Sequence, residues 1–156
     1  MTRWRALSLW QPWASLIAQG IKTFETRSWG TEYRGPILVH AAKRWTSAER
    51  KAWVDMAEDF EGRFPRLEGR ALPPLGVVVA AAELADCFRF RSDEQQLDRV
   101  PANDHLTGDT SCGRWGWRLE HVRALACPVA LRGMQGLWVP EDFVRIQVEA
   151  QLGSRP

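Results

Sequence analysis

Two uninterrupted apolar runs do most to limit what this chain of 156 residues can fold into: ILVHAA at residues 37–42 and VVVAAAEL near the start of residues 76–88. Neither reaches the ~18 residues of a membrane span, and both end in polar or turn residues, so each reads as a buried strand. In the first, Ile37, Val39 and Ala41 alternate with Leu38, His40 and Ala42, which puts His40 and Lys43 near the end of a mostly buried strand. In the second, Glu83 is the anomaly. A carboxylate on a buried strand must find a partner or take up a proton. It is either structurally paired, with Arg27, Lys22 or another base, or it forms the floor of a cleft; both accounts stay open.

Ahead of the first run, Pro12–Gln19 reads as a short helix. Proline fits a first helical position, Trp13, Leu16 and Ile17 form one stripe, and Gly20 sits where a left-handed residue closes the helix. A polar cluster follows at once: Lys22, Thr23, Glu25, Thr26, Arg27 and Ser28, interrupted by Phe24 and closed by Trp29. As an extended segment it places Thr23, Glu25 and Arg27 on one face and Phe24 and Thr26 on the other, Phe24 toward the core. Charged groups between aromatics beside a helix end make this the best candidate site in the chain. Tyr33–Pro36 reads as a turn.

These residues carry a resemblance. LSLWQPWASLIAQGIKTFETRSW contains Gly20, Lys22, Glu25 and Arg27 as G-x-K-x-x-E-x-R, and with YRGPILVHAAK, GVVVAAAELADC and GRWGWRLEHV it resembles the ASCH domain over roughly residues 6–125. The resemblance implies an α+β fold, a PUA-like small mixed β-barrel with flanking helices, and a cleft for RNA or other nucleic acid. It implies one domain over residues 1–156, with a core of about 6–140.

Composition fits that frame without demanding it. Hydrophobic residues make up 45% and charged residues 26%, as in ordinary soluble globular proteins. The N-terminal MTRWRALSLW has no signal-peptide pattern, and Cys87, Cys112 and Cys127 form no C-x-x-C pair. The expectation is a cytoplasmic protein with no metal, no cofactor, no membrane segment and no disulfide framework. A net charge of +2 permits a polyanion partner without arguing for one. Nine tryptophans stand against one tyrosine, and Trp4, Trp10, Trp29, Trp45 and Trp138 lie beside polar or turn residues. Each serves either in packing or in stacking on bases, whose π-faces are alike.

Elsewhere, residues 3–9 read as a first strand, and Thr46–Phe60 as a helix capped by Thr46 or Ser47, with Glu49 in capping-box position but on the solvated side. Residues 61–75 are a loop whose Arg63, Arg66 and Arg70 face solvent or phosphates. Residues 92–113 are a long loop, or a lid containing one short helix; His105 there lacks partners at metal-ligand spacing. Arg114–Val122 and Ala124–Leu131 read as two strands, the second at an edge because of Pro128. EDFVRIQVEAQL reads as a terminal helix or a strand.

Function then divides. The main reading is a module binding single-stranded RNA or DNA, or a nucleoside-like small molecule. Trp10, Gln11, Lys22, Glu25, Arg27, Ser28, Trp29, His40 and Lys43 are its candidate contacts. The alternative is catalysis by Lys22, Thr23 and Glu83: some ASCH-like proteins resembling this domain are amidohydrolases of acetylated cytidine with a Lys, Thr and Glu set. This sequence departs from that set, since Glu25 stands three residues after Lys22 where a threonine would be, flanked by Thr23 and Thr26. Two carboxylates, Glu25 and Glu83, against one guanidinium predict a protonated Lys22, hence a ligand contact more than a base.

Overall fold

The protein is described from a computed structural model, over residues 3–91 and 98–153. Six strands form one sheet: β1 (Arg5–Leu9), β2 (Phe24–Arg27), β3 (Gly35–Ala41), β4 (Val77–Arg89), β5 (Trp115–Ala130) and β6 (Leu137–Trp138), in the order β2-β5-β4-β3-β1-β6. Among the described strands β1 and β3 run parallel and the other pairs antiparallel. Three irregularities in the β4–β5 ladder and one in β3–β4 curl the sheet into a half-barrel. Among the described residues four helices accompany it: α1 (Trp13–Ala18), α2 (Ser47–Asp59), α3 (Ala102–Thr107) and α4 (Asp142–Leu152).

The apolar runs are uninterrupted because both faces of the sheet are covered. Leu7, Leu9, Ile37, Val39, Ala41, Ala80, Ala82 and Leu84 pack on the inner face with Ala14 and Ile17 of α1. Their alternates Ala6, Leu38, Val78 and Ala81 pack on the outer face with Val144 and Val148 of α4. The C-terminal segment is therefore a helix, its apolar stripe fixed by this face. α2 makes a third cluster, through Trp53, Ala57 and Phe60 against Leu16 and Ile21.

Local signals explain the starts and stops. Gly20 takes φ +74°, the Gly20 N–H bonds to the Ile17 carbonyl at 2.9 Å, and the Ile21 N–H to the Leu16 carbonyl at 3.0 Å, a Schellman ending that turns the chain straight into β2. Thr46 caps α2 in a capping box with Glu49, which is buried and not on the solvated side. Bonds from the Thr46 side chain and from Arg44 (Nε to Oε1, 2.7 Å) hold the Glu49 carboxyl down at about 2.

One sequence expectation changes. The strands expected at residues 114–122 and 124–131 are one, β5, bonded to β4 as far as Ala130. Among the described residues β2 pairs with Trp115–Arg118 and no strand flanks the later half of β5 on that side, where Pro128 is exposed and removes no ladder bond. There the Gln151 carboxamide of α4 bonds both the N–H (3.0 Å) and the carbonyl (2.8 Å) of Cys127, as a neighbouring strand would. Of residues 92–113, positions 92–97 lie outside the described residues; the remainder holds α3, packed onto β2. Among the described residues no helix is long and apolar enough to cross a membrane.

Candidate nucleotide-binding cavity

The site forms where β2 meets the inner face of the curl. Glu25 pairs with Trp117 and Arg27 with Trp115 across the β2–β5 ladder, and directly opposed residues share a face. Trp117 is a core residue of the inner cluster, so Glu25 and Arg27 point inward while Phe24 goes to Phe88 and Phe90 on the other side. The end of β1 (Ser8, Leu9), Trp10, Trp13, Met56 of α2 and residues 106–109 complete a cavity of about 600 Å³, lined also by Lys22, Thr26 and Arg114.

The floor is charged and partly pre-bonded. Arg27 gives an Nη2 hydrogen to the Ser8 carbonyl at 2.5 Å, but its buried Nε has no hydrogen-bond partner among the described residues. Glu25 accepts the Thr26 N–H on Oε1 at 2.7 Å, which leaves most of its acceptor capacity unused. Lys22 is 1% exposed and donates to the Thr107 carbonyl at 3.1 Å. Burial pushes its ammonium well below the usual lysine range, although Glu25 and Asp104 pull the other way. Desolvation outweighs both neighbours, and Glu83, expected beside this amine, is not among them. Gly108 closes over this amine: a Cβ there would lie 2.9 Å from Lys22 Nζ and 3.2 Å from Thr26 Oγ1. At the mouth Trp10 is half exposed, and the Arg44 guanidinium stands 4.3 Å from its ring centroid while bonded to Glu49. The cap of α2 thereby holds one face of Trp10 covered.

The structure brings Trp10, Lys22, Glu25 and Arg27 together and places the other candidates elsewhere. Gln11 is fully buried and ties α1 to the Pro74 carbonyl (2.9 Å) and to Ser15. Ser28 is exposed beyond β2. Trp29 packs edge-on against Trp117, ring centroids 4.8 Å apart, and its carbonyl accepts the Trp117 indole N–H. His40 lies on the outer face between Ser8 Oγ (2.8 Å) and the Leu131 carbonyl (2.7 Å), where burial lowers its pKa. Lys43 lays its stem over Gly76. Thr23 gives its hydroxyl to Asp104 at 2.7 Å and does not line the cavity.

Glu83 corrects the cleft-floor expectation. Its neighbours Ala82 and Leu84 both pack inward, so Glu83 belongs to the outer face, in a second cavity with Trp4, His121, Arg123 and Glu149. Lys22, Thr23 and Glu83 therefore share no cavity. Arg63, Arg66 and Arg70 are exposed and outside the β2 cavity, and Arg66 pairs with Glu61. Among the described residues no cluster of three or more His, Cys, Asp or Glu is placed to hold a metal.

Sequence reasoning missed Asp104. It is 1% exposed and accepts the Thr23 N–H (2.7 Å), the Phe24 N–H (2.8 Å) and the Thr23 hydroxyl (2.7 Å). Arg114 was also missed as a cavity residue; it reaches the Thr26 carbonyl at 3.4 Å and Asp109 at 3.4 Å. Only the short helical pattern around residue 104, beside a β2 end with uncapped donors, hints at the first.

Activating signal cointegrator 1 of Mus musculus and that of Homo sapiens are each 30% identical over 99 residues, which is 60% of this chain and only 16% of those proteins. The crystal structure of ASCH from Zymomonas mobilis covers 99% of both chains with a TM-score of 0.53 at 16% identity, a likeness of fold. Residues 7–128 match the model of the ASCH domain. The chain belongs to the ASCH domain family, a PUA-like fold associated with RNA binding.

Proposed function

We propose that the β2 cavity binds one unstacked base or modified nucleotide of a single-stranded nucleic acid, RNA before DNA. The observation that carries this reading is the buried Arg27 Nε, a charged donor at the cavity with no acceptor among the described residues. Buried donors are nearly always paired, so one left unpaired on a concave wall is suited to a ligand acceptor. Glu25 supplies an acceptor for a base N–H, and Trp10 an aromatic platform, one face of it held by Arg44. A volume of about 600 Å³ lies within the range of small-ligand sites.

A second reading has one specific observation in its favour. Burial favours the neutral form of the Lys22 amine, and Thr26 lines the same cavity, which suits an amidohydrolase releasing acetate from an acetylated nucleoside. Here Thr26, not Thr23, would stand beside the lysine.

The test is a titration with acetylcytidine, with unmodified nucleosides and with a single-stranded RNA, read by tryptophan fluorescence and by acetate release. The expected result is saturable quenching by RNA, weaker response to free nucleosides and no acetate. Turnover that disappears in Lys22→Arg would favour the hydrolase. No saturable response to any of them would remove the cavity as a nucleotide site.

A further inference from the structure

α3 is fastened to β2 at two points. Asp104 holds the Thr23 and Phe24 N–H groups, and the Thr107 carbonyl holds the Lys22 amine. A helix of six residues has little stability of its own, so these contacts set its position. Between the two anchors Leu106 is left 65% exposed, yet it lines the cavity. A lone exposed leucine is ordinary. This one stands on a fixed segment at the mouth of a cavity whose rim also carries Trp10, 50% exposed, and Met56.

Beneath that apolar rim the floor is polar, with Lys22, Glu25 and Arg27. An apolar rim over a polar floor matches a flat ring with a hydrogen-bonding edge, the edge going down and the faces meeting the rim. In a duplex those faces are stacked inside the helix, so only an unpaired base can present them. We infer that Leu106 is an apolar lip that, with Trp10, grips the ring of an unpaired base and makes the site select single strands over duplex. This rests on the nucleotide reading of the cavity and adds a contact to it that carries no charge.

The experiment uses a fluorescein-labelled RNA decamer of mixed sequence, alone and annealed to its complement, with the wild-type chain, Leu106→Ala and Leu106→Met at several salt concentrations. Leu106→Ala is expected to weaken single-strand binding about tenfold, the effect of losing roughly a leucine's worth of apolar contact. The slope of log Kd against log salt stays unchanged because no phosphate contact is lost. Leu106→Met, similar in volume, stays near wild type, and the melting temperature of both variants is unaltered. Wild-type affinity in Leu106→Ala, a flattened salt slope, or duplex bound as tightly as single strand would each overturn the lip while leaving the cavity reading in place. A wild-type chain that binds neither form removes the nucleotide reading and the lip with it.

Discussion

Asp104→Ala is expected to lower stability by about 3 kcal/mol, which for a chain of this size is a fall of roughly 10 °C in melting temperature. The carboxylate holds two backbone N–H groups and a hydroxyl at 2.7–2.8 Å in a buried place, and its loss orphans all three. Asp104→Asn keeps an acceptor for the N–H pair and should be markedly milder. A second consequence follows through Lys22, whose charged form Asp104 favours. Because the folded pKa lies below that of the unfolded chain, the unfolded state binds more protons between the two values, and stability rises with pH across that window. Removing Asp104 pushes the folded pKa further down and widens the window at its acid end. Thermal melts of wild type and both variants from pH 7 to 10 check this. An Asp104→Ala melting temperature within a degree of wild type would mean that α3 does not hold β2 in place.

Replacing Arg27 and Arg114 together by Ala is expected to weaken single-stranded RNA binding about a hundredfold or more, since each hydrogen bond to a charged group is worth ~1.5–3 kcal/mol. The two act differently. Arg27 gives one hydrogen to Ser8 and has its Nε buried at the cavity wall, which suits a base edge. Arg114 also buries its Nε, 3.4 Å from Asp109, but keeps a third of its side chain exposed, which suits a phosphate. Arg114→Ala alone should therefore flatten the salt slope by about 0.7, the value for one contact on a single strand, and Arg27→Ala alone should leave it unchanged. Lys22, buried against Thr107, is the poorer target for such a test. Unchanged affinity in the double variant, with the fold intact by circular dichroism, would place binding elsewhere on the molecule.

What the sequence disclosed is what local chemistry encodes. Gly20 as a helix stop, the Thr46–Glu49 box, the alternation of Glu25 and Arg27 against Phe24, and the two strands buried on both faces all follow from neighbours within a few residues. Three misplacements share one physical cause: adjacency along the chain was taken for adjacency in space. Trp29, His40 and Lys43 flank the polar cluster in sequence, but strand alternation sends His40 to the outer face, and Trp29 closes over Trp117. The cleft-floor account of Glu83 fails for a different reason: the period of two alone does not say which face of a doubly covered strand meets the cleft. Asp104, Leu106, Thr107 and Arg114 come from some 80 residues downstream, within or just after a polar stretch whose composition resembles any surface loop. Only the fold brings them to β2.

The central claim is that the ligand enters the β2 cavity, and the most direct test watches that cavity's own donors. In a proton–nitrogen correlation spectrum, the Arg27 Nε–H and the Trp10 indole N–H are followed while a single-stranded RNA decamer is added. The account predicts that both signals shift and saturate together, with Thr26 and Asp109 backbone amides moving alongside, while the Cys127 amide, bonded to Gln151 at the far edge of β5, stays still. Shifts confined to the α4 side or to the arginines at 63, 66 and 70, with Arg27 and Trp10 unmoved at saturation, would contradict it.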